Sequence, residues 1–461
     1  MAWVGGGVRS RVVVGRIGRV VEVASGAVDV NAVDAALATC GVGVVGARIG
    51  HGAPVIACVS YDAGRGLEAT AVAERSPIAG ASAERADARR GVRDDRGWPG
   101  LVCAVLEEWR VVSAEEACAI LLLGSAGFRV GEIRELRSDA ARQRYERGVA
   151  RVLEYIRAGD VYQVNLAHRL SADFHGDPRA LMAALVREGR PRHGAYIEFA
   201  DSDGRRQALA SASPEMFLEC AVGAGAGDPS RAVLRTRPMK GTRAIVSADK
   251  QGTKLASEHL AGSPKDRAEL AMIVDLMRND LGRVCELGSV RVEAPHKIER
   301  HGAGEVALLQ ATATVAGTPR AGLRWSEVLE AMFPGGSVTG APKIRAMQII
   351  DELEQARRGP YCGSVGVWMP DGSATFNVAI RTACISERAS DQRGRADALL
   401  RFFRAKPHAP LGATPTATLD WWVGAGIVAD STPEGEWGET LAKASTLCGV
   451  MLPARENLAS G

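Results

Sequence analysis

No two of the nine cysteines form a CxxC pair, and their number is odd. They lie scattered from Cys40 to Cys448, which excludes a disulfide framework or an ordinary zinc site and predicts reduced thiols in a cytoplasm. No apolar run reaches the length of a membrane span. The N-terminus, Met1-Ala2-Trp3-Val4-Gly5, lacks the charged region, apolar block and cleavage site of a signal peptide, so none is expected. A charge excess is missing too: 57 Lys and Arg face 54 Asp and Glu, which argues against a nucleic-acid or membrane-surface binder. Internal repeats are absent. What remains is a chain of 461 residues, 46% hydrophobic and 24% charged, enough for one large domain or two or three ordinary ones.

The pattern along the chain mixes strands and helices. Up to about residue 75, short apolar runs broken by glycine, such as Val12-Val13-Val14 and residues 55–59, predict strands. Residues 80–97 carry dense mixed charge and predict a solvated loop or linker. An amphipathic helix is predicted over 138–158, ending at Ala158-Gly159-Asp160, followed by a strand over 161–170. Ala268, Met272, Ile273, Leu276 and Leu281 predict a helix over 257–283, and Ile344, Met347, Ile350 and Leu353 another over 343–357. Residues 386–416, rich in Ser, Arg, Ala and Pro, predict a surface insertion. The mixture predicts an α+β protein.

Several constellations carry chemistry. If a helix begins near residue 433, Glu436, Glu439 and Lys443 share one face, as Asp266 and Glu269 share a face of the 257–283 helix. Two such helices meeting would suit Mg²⁺, which takes one or two carboxylates and completes its shell with water and substrate oxygens. Two solvated helix faces would carry the same pattern. Glycine-rich turns at 240–243, 335–343 and 424–426 either expose backbone N–H groups to a phosphate or carboxylate or are plain turns. The second fails as a P-loop, because Ala341-Pro342 separate its last glycine from Lys343 and no Ser or Thr follows. Arg381, near a strand end, is suited to fork a carboxylate. Gly189-Arg190-Pro191-Arg192 mimics a minor-groove hook, which in a near-neutral chain is chance. Lys240 is either a surface cation or a nucleophile; the second role requires its pKa, ordinarily about 10.4, to fall through burial or a nearby cation.

Seven runs then resemble one family, the chorismate-utilizing enzymes, which include anthranilate, aminodeoxychorismate, isochorismate and salicylate synthases. They are Gly159-Asp160-Val161-Tyr162-Gln163-Val164-Asn165-Leu166, Ala212-Ser213-Pro214-Glu215, Pro238-Met239-Lys240-Gly241-Thr242-Arg243, residues 272–280, residues 337–343 (with Ser337 and Thr339), Gly359-Pro360-Tyr361-Cys362-Gly363, and residues 424–443. Their order is the family's. The N-terminal third matches weakly, chiefly at Ser60-Tyr61-Asp62-Ala63-Gly64-Arg65. The division expected is an N-terminal region over 1–135 and a chorismate-binding catalytic region over 136–453. The resemblance implies an α+β fold of two facing antiparallel sheets surrounded by helices, and a Mg²⁺ that holds a chorismate carboxylate. Glu269 and Glu439 look like the metal ligands, with Glu436 and Asp266 close by. Tyr361, Arg381, Thr242 and the backbone at Gly241, Gly424 and Gly426 look like the carboxylate-binding set, which Gln310, Ser337, Thr339 and Lys443 join as substrate-binding residues. Glu215 looks like the general acid that helps the C4 hydroxyl leave, a role requiring a raised pKa.

Two positions choose among members. Gln163 stands where isochorismate and salicylate synthases carry a water-activating lysine, and an amide has no basic nitrogen. Lys240 stands where anthranilate synthases carry alanine and aminodeoxychorismate synthases carry this lysine, whose amine is proposed to add at C2 and expel the C4 hydroxyl before ammonia adds at C4. Asn165 leans the same way, and the Leu-Leu-Glu-Ser run of many tryptophan-regulated anthranilate synthases is missing. Gln310 departs from the histidine many members carry there and cannot titrate. The resemblance therefore implies amination of chorismate to 4-amino-4-deoxychorismate, for para-aminobenzoate and folate. The ammonia would come from a separate glutamine amidotransferase chain, since no cysteine here sits in a recognisable nucleophile elbow. Anthranilate synthase component I and a non-catalytic chorismate-binding subunit are the competing readings.

Overall fold

The computed structural model describes residues 2–4, 11–24, 27–67, 98–125, 127–223, 232–246, 249–301, 306–354, 356–388 and 417–451. The predicted 80–97 linker and residues 389–416 of the predicted insertion lie outside the described residues. The strands are β1 (Ala2–Val4), β2 (Arg11–Val23), β3 (Val55–Val59), β4 (Leu101–Ser113), β5 (Phe128–Val130), β6 (Gln163–Gly176), β7 (Ala195–Ala200), β8 (Arg206–Ser211) and β9 (Met216–Ala221). They continue with β10 (Val233–Arg237), β11 (Met239–Val246), β12 (Arg291–His301), β13 (Val306–Gly317), β14 (Gly340–Ala341), β15 (Ser364–Trp368), β16 (Ala374–Asn377), β17 (Thr382–Glu387) and β18 (Ala417–Ile427). The helices are α1 (Val30–Thr39), α2 (Gly64–Leu67), α3 (Ala114–Leu122), α4 (Asp139–Arg157), α5 (Pro178–Gly189), α6 (Lys250–Gly262), α7 (Pro264–Gly282), α8 (Trp325–Met332), α9 (Lys343–Leu353) and α10 (Pro433–Met451).

Every ladder between these strands is antiparallel, and the ladders form two arms joined at β1, which pairs with β2 and β7. One arm leads from β12 and β11 through β13, β10, β9, β16, β15, β3 and β4 to β2. The other leads from β7 through β8, β17 and β18 to β6, which also carries β5 and β14. Between the arms Ile56, Cys58, Val102 and Val367 pack against Ile197, Phe199, Leu209 and Cys384. The arms are therefore the two facing antiparallel sheets that the sequence implied. Helices cover the second arm's other face, where Leu121, Leu181, Leu185 and Leu447 meet Leu170, Phe174 and Trp421. The early strands are not a separate unit, because β1 pairs with β7 and β3 with β15.

The helix predicted over 138–158 is α4, capped where the Ser138 side chain accepts from Ala141 N–H. The strand predicted over 161–170 is β6, which runs on to Gly176. The helix predicted over 257–283 is instead two, α6 and α7. Pro264 has no N–H and forces the residue before it out of helical geometry, and Ser263 is extended with ψ 112°. Ser263 ends α6 and caps α7 by accepting from Asp266 N–H at 3.2 Å. The helix predicted over 343–357 stops at Leu353, because Glu354 turns its carboxylate inward. β17 reaches Glu387, so the first residues assigned to the insertion belong to a strand.

Two buried ion pairs fix the segments that carry the motifs. Arg358 Nη2 meets Glu354 at 2.7 Å with both side chains under 5% exposed, and the same guanidinium donates to Asn165 O and Val338 O. Glu354 in turn accepts from Ala167 N–H at 2.9 Å. Lys343 pairs with Asp280 at 2.7 Å and donates to Met332 O, so this lysine of the glycine-rich 335–343 run is a core strut. Removing one member of such a pair strands the other charge in the core. Arg358→Met is expected to lose about 3–5 kcal/mol of unfolding free energy in urea denaturation; a loss below about 1 kcal/mol would show that Arg358 does not hold these strands.

Candidate functional site

The site forms where β6, β11 and β18 meet α7 and α10. β11 carries Lys240, opposite Ala311 of β13, and the register slips between Lys240 and Thr242. Gly241 occupies that bulge with φ +72°, and a Cβ there would lie 2.8 Å from both Asp266 Oδ1 and Leu260 Cδ1. Only glycine fits, and the slip aims Lys240 toward β18. There a Cβ on Gly426 would lie 2.9 Å from Lys240 Nζ and 3.4 Å from Gln163 Nε2. The missing side chain of Gly426 is thus the space in which the amine and the amide meet.

The groups around this space lack ordinary partners. Gln163 is fully buried, yet neither its Nε2 nor its Oε1 finds a hydrogen-bond partner among the described residues. An unpartnered buried amide is costly, which points to a ligand or water as the missing partner. No hydrogen bond or ion pair within 4 Å holds Lys240 Nζ among the described residues. Burial lowers its pKa from the ordinary value with Lys443 assisting, while Glu269, Glu215 and Glu439 pull the other way. Glu215 is 3% exposed and accepts from Ser337 Oγ at 2.6 Å. Burial pushes its carboxyl up to about 7, against the Ser337 hydrogen bond, Lys240, the Met239 N–H and Lys443.

A second set of residues is cationic. Arg381 takes left-handed backbone, φ +50°, which L-residues avoid. Burial lowers its guanidinium to about 10, and no carboxylate pairs with it among the described residues. Nearby His301 is held at about 4 by burial, then by Arg192, Arg381 and Arg237. Arg192 and Arg237 share Glu299, each at 2.8 Å, which leaves Arg381 as a buried guanidinium suited to an outside anion. Tyr361 is buried and stacks on Trp422, ring centroids 5.8 Å apart.

α10 supplies the acids. Lys443 Nζ pairs with Glu439 at 2.7 Å and donates to Gly424 O at 2.8 Å, docking the helix onto β18. β17 pairs with β18 only as far as Trp421, so one edge of 424–426 carries no ladder among the described residues. Glu436 accepts from Ser431 Oγ at 2.5 Å, and its Oε2 is buried without a partner among the described residues. Burial raises the Glu436 carboxyl. For Glu439 burial also acts upward, but Lys443, Lys240 and Lys265 outweigh it and the net shift is down. The orphaned Glu436 Oε2 and the ionised Glu439 fit a hard cation. No cluster of three or more protein ligands forms among the described residues, so water and substrate would complete the shell, as Mg²⁺ permits.

The structure thus brings Lys240, Glu215, Gln163, Ser337, Gly426, Glu269, Glu439 and Lys443 into one electrostatic neighbourhood. Asp266 faces Arg243, 3.2 Å away. Thr339 turns its hydroxyl to Gly335 O and Gly336 O. Gln310 is buried opposite Thr242 and Glu299, and the Thr242 side chain lies outside the described set. Sequence reasoning missed Ser431, Trp422 and Lys265. Their spacing from Glu436, Tyr361 and Glu439 follows no helical or strand period.

Two facing antiparallel sheets with helices around them carry this site, which defines the class of the protein as mixed α+β. The chain matches the chorismate binding enzyme family over residues 44–396 and belongs to it. It is 41% identical over 246 residues to aminodeoxychorismate synthase component 1 of Klebsiella aerogenes, covering 53% of this chain and 50% of that protein. It is 36% identical over 326 residues to anthranilate synthase component 1 of Aquifex aeolicus, covering 71% and 56%. The matches span about half the length of these curated relatives. A putative 2,3-dihydroxybenzoate-specific isochorismate synthase from Bacillus anthracis shares the fold, with TM-score 0.65 and 18% identity over 98% of this chain and 95% of that one. No helix among the described residues is long and apolar enough to cross a membrane.

The Glu215 carboxyl should titrate near pH 7 by carbon-13 NMR of the metal-free protein, against about 4.3 for an ordinary glutamate. The Ser337 hydrogen bond favours the carboxylate, so Ser337→Ala should move the midpoint higher still. A midpoint of about 4–5 in the parent protein would contradict this environment.

Proposed function

We propose that this chain aminates chorismate at C4 to give 4-amino-4-deoxychorismate and water. The observation that carries the reading is the amine of Lys240, which has no partner among the described residues and faces Gln163 across Gly426 in the field of Glu215. Arg381 and Tyr361 receive one substrate carboxylate. Glu269 and Glu439, with Glu436 beside them, would hold a Mg²⁺, which would supply positive charge for the other carboxylate. Lys240, in its neutral form, adds to C2 as both ring double bonds shift toward C4 and the C4–O bond breaks. Glu215 gives its proton to the departing hydroxyl, which leaves as water. Ammonia then adds at C4, both double bonds return, the C2–N bond breaks to release the neutral lysine amine, and the proton shed by the added ammonia returns to Glu215. Gln163 carries no base to activate water at C2, which keeps hydration from competing.

The ammonia comes from a glutamine amidotransferase partner, and the product serves para-aminobenzoate and folate synthesis. A second reading, conversion of chorismate to anthranilate and pyruvate, is favoured by the wider coverage of the anthranilate synthase relative. Purified protein with chorismate, Mg²⁺ and ammonium salt separates the two: the expected result is aminodeoxychorismate without pyruvate, and anthranilate with equimolar pyruvate would overturn the proposal. Glu215→Gln should lower kcat by at least about a hundredfold, the usual scale for a lost general acid.

A further inference from the structure

Arg381 sits at the end of a four-residue loop, 378–381, between β16 and β17. Its left-handed backbone, and its guanidinium, which meets no carboxylate among the described residues, would relax if the loop were free. A side-chain relay ties the loop's ends together. Asn377, the last residue of β16, donates from Nδ2 to Ser211 Oγ at 3.3 Å. Ser211 Oγ and Thr382 Oγ1 are 2.8 Å apart, and Thr382 Oγ1 donates to Ile380 O at 3.0 Å. Only one direction fits: Thr382 gives its proton to Ile380 O, so Ser211 gives its own to Thr382 and accepts from Asn377. All three side chains are at most 2% exposed.

The anchor points are equally fixed. Asn377 also donates to His193 O at 2.8 Å and accepts from Val365 N–H at 3.0 Å. Within the loop, Val378 N–H donates to Glu215 O and Ser213 Oγ donates to Val378 O at 2.6 Å, while Arg381 O accepts from Ala212 N–H. The relay therefore ends on the carbonyl immediately before Arg381, and the same loop backbone holds Glu215. None of the relay residues needs to touch substrate.

We propose that Asn377, Ser211 and Thr382 form a clamp whose role is to hold Arg381 in the pose that receives a substrate carboxylate. They are positioning residues, and the inference rests on the assignment of Arg381 to that carboxylate. Thr382→Val keeps shape and removes the hydroxyl, Ser211→Ala breaks the relay one step earlier, and Thr382→Ser restores the hydroxyl. Ser386→Ala is the control: Ser386 is buried on the same strand and donates to Gln207 Oε1 at 2.7 Å, outside the relay.

Chorismate affinity of each variant is measured by equilibrium binding with Mg²⁺, with thermal melting alongside. Thr382→Val and Ser211→Ala should weaken binding at least about tenfold, the scale of a misaligned charged hydrogen bond. Thr382→Ser and Ser386→Ala should stay within about threefold of the parent, as uncoupled sites do. Unchanged binding in Thr382→Val, or equal weakening in Ser386→Ala, would overturn the clamp. Should Thr382→Val fail to fold, Ser211→Ala against Ser386→Ala gives the same decision. A parent protein that binds chorismate but makes another product would overturn the proposed reaction and leave the clamp standing. A parent that does not bind chorismate would overturn both.

Discussion

Removing charged groups from water without pairing them is the constraint on which the rest of this structure turns. Lys240, Arg381 and Glu215 are all desolvated, and burial is the first cause of every shift in their acidity. Gln163 adds an amide with no partner. Left alone, each would draw in water or drag its strand toward solvent. The surrounding fold limits this by closing the networks around Arg358 and Lys343. Arg358 has a carboxylate, two carbonyls and the face of Tyr61; Lys343 has Asp280 and a carbonyl. Those closed networks brace the segments on which the open groups stand.

The same contrast separates structure from chemistry among residues of one type. Lys343 and Lys240 both follow glycine-rich or proline-bearing runs, and both lie inside the protein. One meets a buried aspartate at 2.7 Å; the other faces acids at longer range and has its ammonium form disfavoured. Among the acids, Glu354 is matched to Arg358, whereas Glu215 has only a hydroxyl, a backbone N–H and distant lysines against its burial. Reaction chemistry is assigned to the groups whose charge the fold does not answer.

Much of this was legible in the amino-acid sequence. Apolar periodicity located α4 and α9 to within a few residues, the helix considered from about residue 433 is α10, and the family resemblance implied facing antiparallel sheets. Three features resisted for physical reasons. The Ser263-Pro264 break inside an apolar period gave α6 and α7 in place of one helix, because hydrophobic spacing continues across a proline that the backbone cannot. Asp266 and Glu269 share a helix face, but Arg243 on the neighbouring strand draws Asp266 to itself, and cross-element pairing leaves no trace in local spacing. Arg381 was legible as a carboxylate ligand by type, while the relay behind its left-handed backbone depends on Ser211 of β8, distant in sequence from Asn377 and Thr382.

The central claim is that a desolvated Lys240 amine attacks the substrate. Its most direct test is to hold the protein with chorismate and Mg²⁺ without any ammonia source, quench in acid, and read peptide masses. The expected result is a Lys240 peptide heavier by chorismate less one water, released when ammonium is added before the quench and missing in Lys240→Ala. Turnover with ammonium by the Lys240→Ala protein, with no adduct on the parent, would contradict the account.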